Sequence, residues 1–161
     1  MILRDDDIYL TKSPRYDIIY YDFDKFKKAH KLLKGHKHYL AIIASEIDTY
    51  PELTEYILAN KKDFGFGIHG WEHSDYHRIP NIEEELKRAK DKIEETFDTD
   101  VKWFFPPWNR WGEKTEQACI NLGIKLDNNY TQFPDIKKAD TLCFHYWNDK
   151  KVNALAKWLQ S

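Results

Sequence analysis

The feature that most constrains the fold is an alternation of two apolar periods along the chain. Short runs appear at Ile2-Leu3, Tyr39 to Ala44, Phe64 to Ile68, Val101 to Phe105, Ile124 to Leu126 and Thr141 to Phe144. They are too short for helices and rich in β-branched or aromatic residues, so they read as strands. Tyr39 to Ala44 is continuously apolar rather than alternating, which suits a strand covered on both faces. Between the runs lie helical stripes. Ile82, Leu86, Ala89, Ile93 and Phe97 recur at helical spacing, with Asn81 as N-cap and Glu83, Glu84 and Glu85 at the positive end of the dipole. Phe23, Phe26, Ala29 and Leu33 form a second stripe stopped by Gly35, and Pro51 opens a third over Glu52 to Asn60. Glu113 to Leu122 and a final stripe of Val152, Leu155, Ala156 and Leu159, opened at Asn148 or Asp149, complete the set. Tyr16 to Tyr21 reads as either a further strand or an aromatic loop.

Strand then helix, repeated, means a mostly parallel sheet. A closed eight-stranded barrel takes about 250 residues, and this chain has 161. The expectation is a single α/β domain over residues 1–161, an incomplete or distorted (β/α) barrel of about six or seven mostly parallel strands.

Charge narrows the function classes. Lys plus Arg total 25 against 27 for Asp plus Glu, so no bulk basic field draws nucleic acid or an anionic membrane. No apolar run approaches the length of a membrane span. The start, Met-Ile-Leu-Arg-Asp-Asp-Asp, carries no secretory apolar segment. Cys119 and Cys143 are too few for a disulfide framework, so a reduced, cytoplasmic setting is expected.

The residues that follow the strands carry the chemistry. After Ile2-Leu3-Arg4 come Asp5, Asp6 and Asp7. After Ile68 comes His69-Gly70-Trp71-Glu72-His73. After Phe105 comes Pro106-Pro107-Trp108-Asn109-Arg110-Trp111; after Leu126 comes Asp127, and after Phe144 comes His145. Parallel strands put their carboxyl ends on one side, where α/β folds place their ligands. Five strand ends, four of them bearing carboxylates or imidazoles, are therefore expected to meet at one mouth. His69 and His73, four apart, share a face on a helical turn, and two imidazoles with one carboxylate suit a divalent ion, zinc foremost. Three adjacent carboxylates repel one another, a cost that a cation relieves. Trp71, Trp108 and Trp111, beside these positions, offer faces for sugar rings.

Taken in order, these motifs resemble the polysaccharide deacetylases, metal-dependent carbohydrate esterases with an Asp-Asp pair after the first strand, a His-x-x-x-His motif, a Pro-Pro-aromatic loop, then an Asp and a late His. The resemblance runs from Asp6 to His145. It implies that Asp7, His69 and His73 ligate the metal, that Asp6 is the general base and His145 the general acid, and that Asp127 orients His145. It places the backbone N–H near Trp108 at the oxyanion, and Trp71, Trp108, Asn109, Arg110 and Trp111 against an acetylated carbohydrate. Two registers of the pair are open, Asp5-Asp6 and Asp6-Asp7; the resemblance favours Asp6-Asp7 because related branches carry Arg-x-Asp-Asp, matched by Arg4 to Asp7. Two positions depart from the pattern. Phe105 stands where the family often has an Arg that supports the base, with Arg4 and Arg110 as candidates to replace it. Gly70 stands where Ser or Thr is usual. The alternatives are a sugar-binding domain that has lost its chemistry and a metal amidohydrolase acting on something other than a glycan.

Overall fold

The computed structural model describes residues 1–12 and 17–161. Its seven strands are β1 (Ile2–Ile8), β2 (His38–Ile42), β3 (Phe64–Ile68), β4 (Trp103–Phe104), β5 (Lys125–Leu126), β6 (Tyr130–Gln132) and β7 (Thr141–Phe144). Every pairing is parallel, and the order is β5-β4-β3-β2-β1-β7-β6. Five helices connect them: α1 (Phe23–Leu32), α2 (Pro51–Ala59), α3 (Ile82–Phe97), α4 (Glu113–Asn121) and α5 (Asp149–Gln160). The apolar stripes read from sequence are their buried faces, among them Ile82, Leu86, Ala89, Ile93 and Phe97 on α3. Helix α1 packs on α5, and α3 on α4. Among the described residues no helix is long and apolar enough to cross a membrane.

The topology forces the sheet to curl. Strands β5 and β6 lie at opposite edges, yet only Asp127, Asn128 and Asn129 separate them. Four Cα steps reach at most about 15 Å, whereas seven flat strands would spread over about 29 Å. The segment from β5 to β6 therefore pairs first with β4 and then with β7, drawing the edges together into the incomplete α/β barrel expected.

Alternation along the strands then sorts side chains to two faces. Arg4, Tyr39, Trp103 and Phe105 face the barrel interior, where the Trp103 and Phe105 rings stack at 5.6 Å. Two glycines of β3 make room for the interior rings. A Cβ at Gly65 would come within 2.6 Å of the Tyr39 ring, and one at Gly67 within 2.3 Å of the Phe105 ring. Leu3, Leu40, Phe66 and Phe104 belong to the main core under the helices.

One local expectation changes. Asn81 does precede α3, but in a left-handed conformation with no side-chain capping bond. The side chain of Asn148, by contrast, accepts the Lys151 N–H and caps α5. Of Tyr16 to Tyr21, Tyr16 lies outside the described residues. The remainder is loop, with one isolated antiparallel bridge between Lys12 and Ile19. Strand β6 was not foreseen.

Candidate metal centre and its surroundings

The three successive aspartates of β1 go to three different places. Asp5 points to the helix-covered face. Its Oδ2 lies 3.1 Å from His38 Nε2, and its Oδ1 accepts the Tyr146 N–H at 2.8 Å. Burial raises the Asp5 carboxyl well above its usual range and lowers His38 to about 3. Burial thus disfavours the charged form of both partners.

Asp6 points into the barrel. Arg4 grips it with a two-pronged bond, Nε to Oδ1 at 2.7 Å and Nη2 to Oδ2 at 2.8 Å. The remaining Arg4 nitrogen, Nη1, donates to Asp127 Oδ2 at 2.9 Å, and Thr141 Oγ1 donates to the same oxygen at 2.6 Å. Burial alone would pull the guanidinium pKa down, but Asp6 foremost, with Cys143 and Asp127, outweighs it and raises it.

Strict alternation would send Asp7 back to the helix side. Instead its backbone turns left-handed, φ 64°, and the β1–β2 register shifts between Asp5 and Ile8. Bulges of this kind re-aim a side chain. Asp7 Oδ1 comes to 3.3 Å from His69 Nε2 and 3.1 Å from His73 Nε2, while Oδ2 lies 3.4 Å from His145 Nε2. Burial would raise the Asp7 carboxyl, but the bonds to His69 and His73 and the charge of His145 hold it well below the usual carboxylate range.

His69 and His73 meet through a bent loop, not the helical turn expected. Gly70 sits at φ +104°, and a Cβ there would stand 2.3 Å from the Glu72 carbonyl. Only glycine fits that bend, which accounts for its presence between the two histidines. His69 Nδ1–H donates to the Phe105 carbonyl at 2.5 Å, fixing the tautomer so that Nε2 offers its lone pair toward Asp7. Ligand atoms of Asp7, His69 and His73 all lie within 4.8 Å of one another. One carboxylate and two imidazoles, with one ring pre-oriented by a carbonyl, fit a divalent ion.

The Pro-Pro loop flanks this cluster. Trp108 and Asn109 both adopt left-handed backbone, φ 52° and 53°, a costly pair for residues with side chains. The turn sets the Trp108 ring edge-on to His73, centroids 4.4 Å apart. A cleft of about 720 Å³ opens beside His73 and Trp108, with Ile43, Ser45 and Glu72 among its walls. On the other side His145 lies against Trp147 at 4.7 Å.

Not every expected site residue arrives where it was placed. Asp127 does not bond His145; it bonds Arg4 and Thr141, because the end of β5 faces the barrel interior and not the mouth. The Trp71 ring lies beneath the Arg88 guanidinium at 3.8 Å and is half-buried against the core. Trp111 is partly buried against the same core. Arg110 lies 3.4 Å from Asp75, so Arg4 is the arginine that reaches Asp6. Sequence reasoning did not assign Asp5, His38 or Thr141 a part in this network.

The family model for polysaccharide deacetylases matches residues 12–126, and the chain belongs to that family. The match starts beyond the three aspartates and stops short of Asp127 and His145. Solved structures agree in fold. A carbohydrate esterase family 4 pseudoenzyme from Bacillus anthracis superposes with a TM-score of 0.78 at 12% identity, over 99% of this chain and 58% of that one. A mutant of a family 4 pseudoenzyme with restored activity gives 0.80 at 13%, over 99% and 60%. A family 4 carbohydrate esterase from Streptomyces lividans, in complex with acetate, gives 0.76 at 13%, over 99% and 85%. The chain thus spans about 60% of the pseudoenzymes' length. No curated protein matches it in sequence.

Proposed function

We propose that residues 1–161 act as one catalytic domain, a metal-dependent hydrolase that removes acetyl groups from an N- or O-acetylated carbohydrate. The observation that carries this reading is the approach of Asp7, His69 and His73 to within 4.8 Å, with Asp6 next in sequence and His145 on the far oxygen of Asp7. Zinc is the ion best suited to that donor set. Bound there, it would supply Lewis acidity toward water and an acyl oxygen.

The chain's own groups do the rest. Asp6 accepts the proton of the attacking water; each of its oxygens keeps a lone pair beyond the bond from Arg4. The backbone N–H of Trp108 faces the charge that develops on the acyl oxygen. His145 protonates the leaving nitrogen or oxygen, a contribution of about 10²–10⁴ in rate. An amine leaves poorly unless protonated, so this second proton-transfer group is required. Trp108, Asn109 and Arg110 line the approach for the sugar.

The test is acetate release from chito-oligosaccharides and from acetylated xylan, with zinc added and with the ion removed by a chelator. Metal-dependent release from either supports the reading. Stoichiometric zinc with no release from any acetylated glycan favours the second reading, a sugar-binding domain without chemistry, for which Phe105 and the fold-likeness to pseudoenzymes speak.

A further inference from the structure

We propose that Arg4 is the positioning residue for the Asp6 base, and that Asp127 serves Arg4 and not His145. This rests on the reading of Asp6 as base, and adds where its support comes from.

The geometry is that of a purpose-built seat. Arg4 is fully buried. Its Nε and Nη2 take one Asp6 oxygen each, which fixes both the plane and the direction of the carboxylate. Nη1 is held by Asp127, whose same oxygen is held by Thr141 of β7. The guanidinium carbon lies 5.0 Å from the centre of the Phe105 ring and 5.7 Å from that of Tyr130. Four strands thus contribute to the seat of one cation: β1 carries it, the residue after β5 and the first residue of β7 anchor it, and the residue after β4 covers it.

This changes the meaning of Phe105. Its ring does not mark a missing arginine; it forms a wall of the pocket that an arginine from β1 fills, and its carbonyl orients His69. An arginine side chain at 105 would approach Asp6 from the end of β4, with β2 and β3 between it and β1, and compete with Arg4 for the same space. The sequence departure that speaks for lost activity is a relocation of the supporting cation.

Three variants test this: Arg4→Lys, which keeps the charge but loses the fork, Arg4→Leu, and Arg4→Leu combined with Phe105→Arg. Each is measured for zinc affinity, for the crystallographic position of the Asp6 carboxylate, and for kcat and KM on acetylated chito-oligosaccharide. The expected result for Arg4→Lys is an Asp6 carboxylate rotated from its place, zinc affinity and KM within about threefold of wild type, and kcat lower by about a hundredfold. In the Arg4→Leu background, Phe105→Arg should restore kcat by about tenfold or more. A purely structural Arg4 would lower stability without this split between kcat and KM, and moving the arginine to position 105 would not repair it. An unmoved Asp6 in Arg4→Lys, or unchanged kcat, overturns the proposal. Absence of acetate release by the wild-type protein sinks the functional reading instead, and the Asp6 position then decides the inference alone.

Discussion

Two faces of one strand solve the same problem in opposite ways. On the helix side of β1, Asp5 is buried beside His38 without a permanent cation, and burial pushes both toward their neutral forms. On the barrel side, one residue later, Asp6 is gripped by Arg4, a cation buried with it. A buried carboxylate without a partner costs several kcal/mol, so both solutions are forced. Only the second leaves an oxygen able to accept a proton. The difference is that between an aspartate that ties strand to loop and one that can act as a base.

The sharpest way to break this contrast starts at the metal. Replacing both His69 and His73 by Ala should abolish stoichiometric divalent-ion binding and reduce turnover to background. Metal retained at one equivalent in the double variant would remove the proposed ligand set. Next is Asp6→Asn, expected to keep the ion but lose about 10²–10⁴ in kcat. It should also cost the fold about 3–5 kcal/mol, because Arg4 loses a charged partner in the interior. Wild-type turnover in this variant would reassign the base.

A pH titration of the metal-free protein probes the other face. His38 is held down to about 3 by burial, against an ordinary 6.5. The unfolded chain therefore takes up that proton first, and stability falls as the pH drops from about 6.5 toward 3. Urea midpoints should decline over that range, and His38→Gln should flatten the decline; an equal slope in both proteins would refute the lowering of His38. Asp5, raised by burial, contributes the reverse slope. Its share is greatest below the unfolded carboxyl's pKa and is lost as the pH rises toward its own raised value. The smallest effect expected is from Asp5→Asn at neutral pH. The amide can donate to His38 and accept from the Tyr146 N–H, so the cost should stay below about 1 kcal/mol. A loss several times larger would mean that Asp5 is ionised after all.

These two faces also mark what could be read from sequence. The barrel was legible because most strands lie on or beside a short apolar run and each helix on a clean stripe; the pattern needs no tertiary information. The strand-end rule brought Asp7, His69, His73 and His145 together, since parallel strands put their carboxyl ends on one side. What stayed hidden depends on contacts distant in sequence or on single dihedral angles. Strand β6, Tyr130–Gln132, is three residues long and half polar, so no period marks it. Nothing local distinguishes the three aspartates, whose fates are set by the pleat and by the left-handed turn at Asp7. The Arg4–Asp127 bond links residues 123 positions apart, and its partner choice follows from curvature that the sequence does not display. Arg88, seventeen residues on, lies over the Trp71 ring, a contact that no local pattern announces.

The short bridge between the two rims of the sheet carries one more implication. Asp127 is its first residue, and it is also the residue that fastens Arg4. The girth of the cylinder and the aim of the base are thus set by a single clasp. Lengthening or loosening Asp127 to Asn129 should unseat the base even with every group at the mouth intact, so an insertion there is expected to silence the protein while leaving its ion in place.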